Sequence, residues 1–483
     1  MIPPRWGLGL GLALFAIVLV LPPPADLSVA GWRAAAVALL MAMWWMSEAI
    51  PIAATALVPL VLFPSLGIAD LSATAAPYGN PLIFLFLGGV MVALAMERWN
   101  LHRRLALLVI HRLGTGGSRI VAGFMIASAF CSMWISNTAT AMMMMPIGLS
   151  VTALLDKDHE ASTRFATAVM LGIAYACSLG GMATLVGTPT NALLAGFLLE
   201  TWEVEIGFAA WLAIALPVTI IGLLATWWLL THRLRDMAVP GGRRFIADEL
   251  AALGPMKPAE RRIAWLFGLT ALAWMTRPWL AGLVPGLSDP SIAVAAALLL
   301  FVSPAGDEEQ SRLLDWDDTA RLPWGVLVLF GGGFTLASAV NKTGLAAWIG
   351  GRLQAVETWP IVALVFLLVV TIVLLTELTS NTATTAAFLP VVASLAVGIG
   401  QDPRLLLIPA TLAASCAFML PVATPPNAIV YGSGVVSARD MARTGSGLNV
   451  VLAVVVTALC VTLLPLVLDV SLGIVPDWAI EPQ

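Results

Sequence analysis

Charge is what this chain has least of. Only 11% of its 483 residues are charged and 60% are hydrophobic, where a soluble domain carries about 25% charged residues. No tract of Lys and Arg occurs and the net charge is only −4, so nothing points to nucleic acid. Alternating segments of ~10 residues, which a membrane β-barrel needs, are missing. Cysteine is scarce: Cys131, Cys177, Cys416 and Cys460 all fall inside apolar runs without CxxC spacing. They read as small core residues. The four histidines, His102, His111, His159 and His232, fall in charged connecting segments, and there is no HExxH. That argues against an intramembrane metal centre. No nucleophile elbow or pair of intramembrane acids is present, which argues against a membrane enzyme.

What the chain has instead is a long series of apolar runs. Runs of ~17–25 residues are long enough to cross a bilayer as helices. They predict an all-α polytopic membrane protein with spans near residues 7–22, 30–47, 52–69, 80–97, 163–186, 207–231, 262–284, 289–303, 323–341, 403–422 and 446–470. The first could pass for a signal peptide. Its flank, Pro22-Pro23-Pro24, is no small-residue cleavage site, so a first membrane helix is the better reading.

Two more stretches, 118–155 and 357–398, are each interrupted by a polar motif. The first is Ser136-Asn137-Thr138-Ala139-Thr140 and the second is Ser380-Asn381-Thr382-Ala383-Thr384. Each half is short for a span, which predicts two re-entrant helical hairpins. Irregular backbone at membrane depth is tolerated only where protein or a cavity surrounds it.

With the N-terminus inside, nineteen of the 24 Lys and Arg fall in inside segments and five outside, as the positive-inside rule asks. Segment 232–261 is then a cytoplasmic linker between two repeats, 30–231 and 262–472. Residues 1–50 hold the N-terminal spans, the first helix lying outside the repeat. The tail, 473–483, with Asp477 and Glu481, lies outside.

The halves repeat each other. Gly88-Gly89 matches Gly331-Gly332-Gly333, the two Ser-Asn-Thr motifs match, and Val186-Gly187-Thr188-Pro189-Thr190-Asn191 matches Val422-Ala423-Thr424-Pro425-Pro426-Asn427. Five spans and one hairpin per half make an odd number of crossings, so the second repeat is inverted. Inverted repeats with broken helices mark secondary transporters.

Four elements are expected to meet: two hairpin tips and two helices broken at Thr-Pro. Proline lacks an N–H and frees carbonyls of the preceding turn. Helix starts offer N–H donors and a partial positive charge. Asn oxygens, hydroxyls and carbonyls suit a small hard cation. With no Lys or Arg expected near a tip, a bound carboxylate needs a mobile cation to offset its charge. Cation and anion then raise each other's affinity.

A single Thr, such as Thr140 or Thr371, is best read as bonding back to its own helix. The duplicated Asn137 and Asn381 are better read as site residues, since polar groups at depth are costly. Glu48 and Glu377 are candidate proton or cation sites, and Glu48 is equally a helix-end anchor. Met142 to Met145 read as flexible lining.

At Trp44-Trp45-Met46-Ser47-Glu48-Ala49-Ile50-Pro51, at both Ser-Asn-Thr motifs and at Ser415 to Val430, the chain resembles the divalent anion/sodium symporter family. The resemblance covers nearly the whole chain. It implies an eleven-span, two-hairpin homodimer with an elevator-type transport domain in a bacterial cytoplasmic membrane. It implies Na⁺-coupled uptake of C4-dicarboxylates such as succinate, malate and fumarate. One Na⁺ site would use Ser132, Ser136, Asn137 and Gly187; the other Thr376, Thr379, Asn381 and Ala423. Substrate would meet Ser136, Asn137, Thr138, Thr188, Ser380, Asn381, Thr382, Thr424 and Pro425. Ala423 departs from the first half's glycine but would offer only its carbonyl. The alternatives are a Na⁺-independent exchanger, a sulfate or tricarboxylate carrier, and the membrane subunit of an anion efflux system.

Overall fold

The computed structural model describes residues 3–114, 116–155, 160–234, 239–306, 312–352 and 358–480. Lys157, His159, Arg235, Glu357 and Glu481, which the sequence puts in connections, a hairpin end or the tail, lie outside them. The described residues form helices joined by turns and a few longer connections, with no strand among them.

The first half runs α1 (Pro4–Val20), α2 (Val29–Ser47), α3 (Ile52–Thr55), α4 (Val58–Ser65), α5 (Leu71–Ala75), α6 (Pro81–Arg98), α7 (Leu101–Leu113), α8 (Gly117–Ser132), α9 (Asn137–Thr152), α10 (Glu160–Met182), α11 (Pro189–Trp202) and α12 (Phe208–Thr231). After α13 (Gly242–Ala252) the second half runs α14 (Pro258–Leu280), α15 (Asp289–Val302), α16 (Trp324–Lys342), α17 (Leu345–Arg352), α18 (Ile361–Thr376), α19 (Asn381–Gly398), α20 (Arg404–Ala414), α21 (Pro425–Gly432), α22 (Ala438–Leu468) and α23 (Asp477–Ile480).

Several boundaries differ from the sequence expectation. The span expected at 52–69 is two short helices, because Pro51 precedes α3, Pro59 in the first turn of α4 follows a break at 56–57, and Pro64 falls inside α4. The spans expected at 163–186 and 403–422 stop at Met182 and Ala414, and non-helical backbone follows each. The linker expected at 232–261 holds α13, which docks on α7 through Arg103 and Glu249, 2.7 Å apart. His102 is not in an open connection. It is buried on α7, with Nδ1 3.1 Å from the Met96 carbonyl. Among the described residues, seven helices are long and apolar enough to span by length and composition. One of them is α19, the second arm of the second hairpin, so the hairpin arms are not uniformly short.

The helices sort into two bodies. In one, α6 packs on α15, α1 on α2, and α16 on α2, α3 and α4. In the other, α10 sits among α8, α9, α12 and α21, while α20 sits among α18, α19 and α22. The doubled glycines explain the first body. Gly88 lies so close to the Ala293 backbone that a Cβ there would come within 2.6 Å of it. Gly332 meets the Ala56 backbone in the same way. Each half thus lends a glycine helix to the other half's short helices. Each of these glycine helices ends in a left-handed residue, Asn100 after α6 and Gly344 after α16, before the partly polar α7 and the short α17.

Candidate substrate and cation site

Four helix starts converge on one cavity of about 920 Å³. α9 and α19 begin at the hairpin tips, with Ser136 and Ser380 as the residues before them. α11 and α21 begin after the Thr-Pro breaks, preceded by Thr188 and Thr424. All four flanking residues line the cavity. Each helix start carries roughly half a positive charge. Ser136 and Thr424 close their own first turns, accepting from Ala139 N and Asn427 N. Thr188 and Ser380 make no such cap. One tip and one break therefore keep N–H donors free of a side-chain partner, one in each half.

The cavity brings together Ser136, Asn137, Thr138, Gly187, Thr188, Thr379, Ser380, Asn381, Thr382, Ala423, Thr424 and Pro425. Ser132 and Thr376 are buried behind the wall. Ser132 Oγ donates to Asn137 Oδ1. Thr376 Oγ1 lies 2.6 Å from Asn381 Oδ1 and 2.8 Å from the Ala414 carbonyl. One hydroxyl proton is shared there among three oxygens, a donor set that fits a hard cation. Each Asn thus turns its amide oxygen to a hydroxyl behind it and lines the cavity in front.

The breaks are held by two residues to which the sequence reading gave no role. Asn191 Nδ2 donates to Thr184 O at 2.8 Å and Met182 O at 3.0 Å. Asn427 Nδ2 donates to Ala417 O and Leu420 O, both at 3.1 Å. These amides satisfy carbonyls that the breaks release, which would otherwise be buried unpaired. Each Asn closes its copy of the duplicated motif, so the signal was in the repeat.

Glu377 proves to be a bracket. Its carboxylate accepts from Phe418 N at 2.7 Å, Met419 N at 2.9 Å, Leu420 N at 3.1 Å and Asn449 Nδ2 at 2.7 Å. Four donors already surround it, and it does not line the cavity. Glu48 caps the end of α2 in the left-handed conformation and lines the cavity as an exposed residue. Glu97 and Arg321, 2.9 Å apart, share that lining. The absence of basic side chains from the site therefore needs one correction: Arg321 stands on the wall, engaged by Glu97.

Two matching halves, each with a hairpin tip and a helix broken at Thr-Pro, meet at one water-accessible cavity inside an all-helical membrane fold. That arrangement is a secondary transporter's. Within that class, the chain belongs to the divalent anion/sodium symporter family. The family model described as the sodium:sulfate symporter transmembrane region matches residues 4–468. The sodium-dependent dicarboxylate transporter SdcS of Staphylococcus saprophyticus is 42% identical over 478 residues, covering 96% of this chain and 92% of that one. SdcS of Staphylococcus aureus strain USA300 is 41% identical over 482 residues, covering 97% and 92%. Two solved structures share the fold at a TM-score of 0.58. MtrF of Neisseria gonorrhoeae is 12% identical and covers 96% of this chain and 95% of its own. The YdaH transporter of Alcanivorax borkumensis is 15% identical, with 91% and 99% covered.

Proposed function

We propose that this protein is a Na⁺-coupled symporter that imports C4-dicarboxylates such as succinate, malate and fumarate. The observation that carries this reading is the pair of asparagines. Each has a hydroxyl against its amide oxygen on one side and a cavity ringed by helix starts on the other. Helix starts attract carboxylates, and oxygen clusters behind them attract Na⁺. The two share a residue, so binding of one favours the other. The names of the SdcS relatives support the same substrate class.

In this reading Ser132, Ser136, Asn137 and Gly187 hold one Na⁺, and Thr376, Thr379, Asn381 and Ala423 hold another. The carboxylates meet Ser136, Asn137, Thr138 and Thr188 on one side, and Ser380, Asn381, Thr382, Thr424 and Pro425 on the other. The body that carries α8 to α12 and α18 to α22 moves as an elevator against the other, and the protein is a homodimer of a bacterial cytoplasmic membrane. The N-terminus lies inside and the C-terminus outside, so the charged lining at Glu48, Glu97 and Arg321 faces the cytoplasm.

Proteoliposomes with an inward Na⁺ gradient are expected to accumulate labelled succinate, and choline in place of Na⁺ to abolish accumulation. Uptake indifferent to that exchange removes the coupling. Arg321 gives one foothold to a Na⁺-independent exchanger, since such a carrier needs a fixed cation; its pairing with Glu97 weakens that reading. Counterflow without any cation gradient would favour it. Competition by sulfate and citrate in the same assay sets the anion class.

A further inference from the structure

Where α12 and the turn before it meet α14 and α15, a cluster of charge surrounds one buried carboxylate. Asp289 opens α15 and is 2% exposed. Its Oδ2 accepts from Phe208 N, the first N–H of α12, at 2.7 Å, and lies 3.2 Å from Arg277 Nη1. Arg277, on α14, also pairs with Glu205 in the turn before α12. Asp289 is on α15, and Arg277 is on α14, which packs on α15 and α6 of the same body; Glu205 and Phe208 belong to the other. The turn 203–208 is therefore seated in a charged socket of the opposite body.

The same socket reaches the first hairpin tip. Phe208 stacks on Trp274 of α14 with ring centroids 4.9 Å apart, and Trp274 Nε1 donates to the Asp289 carbonyl at 3.0 Å. Trp134, between Ser132 and Ser136, stacks on Phe208 at 5.8 Å and on Trp274 at 6.4 Å. A continuous run of side chains thus links the tip to Asp289. Two lighter ties also cross between the bodies. Asn80 Nδ2 reaches Glu200 Oε2 at 3.2 Å, and Asn341 Nδ2 reaches the Thr201 carbonyl at 3.2 Å.

The charged socket is incompletely satisfied. One guanidinium serves two carboxylates, Asp289 Oδ1 has no hydrogen-bond partner, and neither does the indole N–H of Trp134. A buried polar atom without a partner costs free energy that water would return. The arrangement holds the bodies together in this state and lowers the cost of letting go.

We propose that Asp289, with Arg277, is a positioning residue for transport: it catches α12 and the first tip in the state seen here and must release them for the cavity to change faces. This rests on the two-body reading of transport given above. When the bodies part, Arg277 keeps Asp289 on its own side, and the Phe208 N–H passes to water, which Glu205 already meets.

The test places Val326→Cys, on the cavity wall, in the full-length protein in proteoliposomes. A membrane-impermeant maleimide applied to inside-out protein, from the cytoplasmic side that the cavity faces, reads how often the cavity is open; the four native cysteines are buried. Asp289→Asn and Arg277→Gln are each expected to slow labelling severalfold, up to about tenfold, as the population shifts toward the other state. Binding of Na⁺ and succinate at equilibrium should stay within about threefold, the cost or gain of a population shift alone. Glu205→Gln is the milder variant, should Asp289→Asn fail to fold. Arg277→Lys, which keeps the charge beside Asp289, should retain much of the rate. Unchanged labelling in both Asp289→Asn and Arg277→Gln overturns the proposal. So does slower labelling accompanied by an equal loss of binding and thermal stability, which marks a purely structural role. Wild-type protein that takes up no succinate on a Na⁺ gradient would overturn the proposed function, while the labelling comparison would still read the catch.

Discussion

The two halves of the site are built to one plan and braced in two ways. Ser132 with Asn137 in the first half answers Thr376 with Asn381 in the second, and Asn191 answers Asn427. The breaks between helices differ. In the first half only 183–188 leaves the helical path; in the second the irregular stretch is 415–424. The longer break exposes three consecutive N–H groups at depth, and Glu377 accepts all three. By the repeat of the tips, Glu377 corresponds to Met133. There it is the carbonyl, not the side chain, that does the bracing, by accepting from Thr184 Oγ1 at 2.5 Å. A helix that opens widely at membrane depth needs a dedicated acceptor for the groups it frees, whereas a tight break is closed by hydroxyls and backbone.

The largest expected effect follows from that difference. Glu377→Ala leaves three buried or half-buried N–H groups and Asn449 without their acceptor, a loss on the order of 3–5 kcal/mol by analogy with a broken buried pair. Thermal unfolding in detergent should fall sharply and Na⁺-driven uptake should vanish. Met133→Ala, at the matching place, should cost less than about 1.5 kcal/mol and leave uptake measurable. Equal losses from the two substitutions would show that the halves are braced alike.

Much of this was legible in the chain because the site is duplicated. The Ser-Asn-Thr motifs and the Thr-Pro motifs announce the cavity by appearing twice, and the structure places both pairs on its wall. The doubled glycines were legible as a repeat but not as close approaches, since their partners, Ala293 and Ala56, have no signature of their own. α7 and α17 were not separated from their neighbours, α7 being too polar and α17 too short to register as spans. The bracing by Glu377 was hidden because its partners are backbone N–H groups about forty residues on, and backbone carries no sequence signal. The socket at Asp289 was hidden too, because it joins residues from both halves.

A smaller effect tests what the halves share. Asn137→Ala and Asn381→Ala are each expected to weaken both Na⁺ and succinate binding, by about tenfold or more, the equivalent of one charge-assisted hydrogen bond. Measured by Na⁺-dependent binding of labelled succinate, each variant should lose sensitivity to both ligands together. If Asn137→Ala harms only Na⁺ and Asn381→Ala only succinate, the halves have divided the work between cation and anion, and the symmetric reading fails.

The smallest effect lies just inside the helix starts. Thr384 Oγ1 lies 2.6 Å from Thr379 Oγ1, and Thr379 in turn donates to the Leu375 carbonyl at 2.8 Å. Thr140, its counterpart in the first half, is buried and its hydroxyl has no partner. Thr→Val keeps the shape and removes the hydroxyl. At Thr140 nothing is lost but the burden of an unpaired polar atom, so Thr140→Val should be neutral or slightly stabilising. At Thr384 a real hydrogen bond goes, and Thr379, a proposed Na⁺ ligand, loses its restraint. Thr384→Val should cost about 1 kcal/mol and raise the Na⁺ concentration needed for half-maximal uptake, with succinate saturating. Thr140→Val should leave that Na⁺ dependence where it was; a rise there as large as at Thr384 would mean that the Thr140 hydroxyl has a partner in the transporting protein and that the asymmetry belongs to one state only.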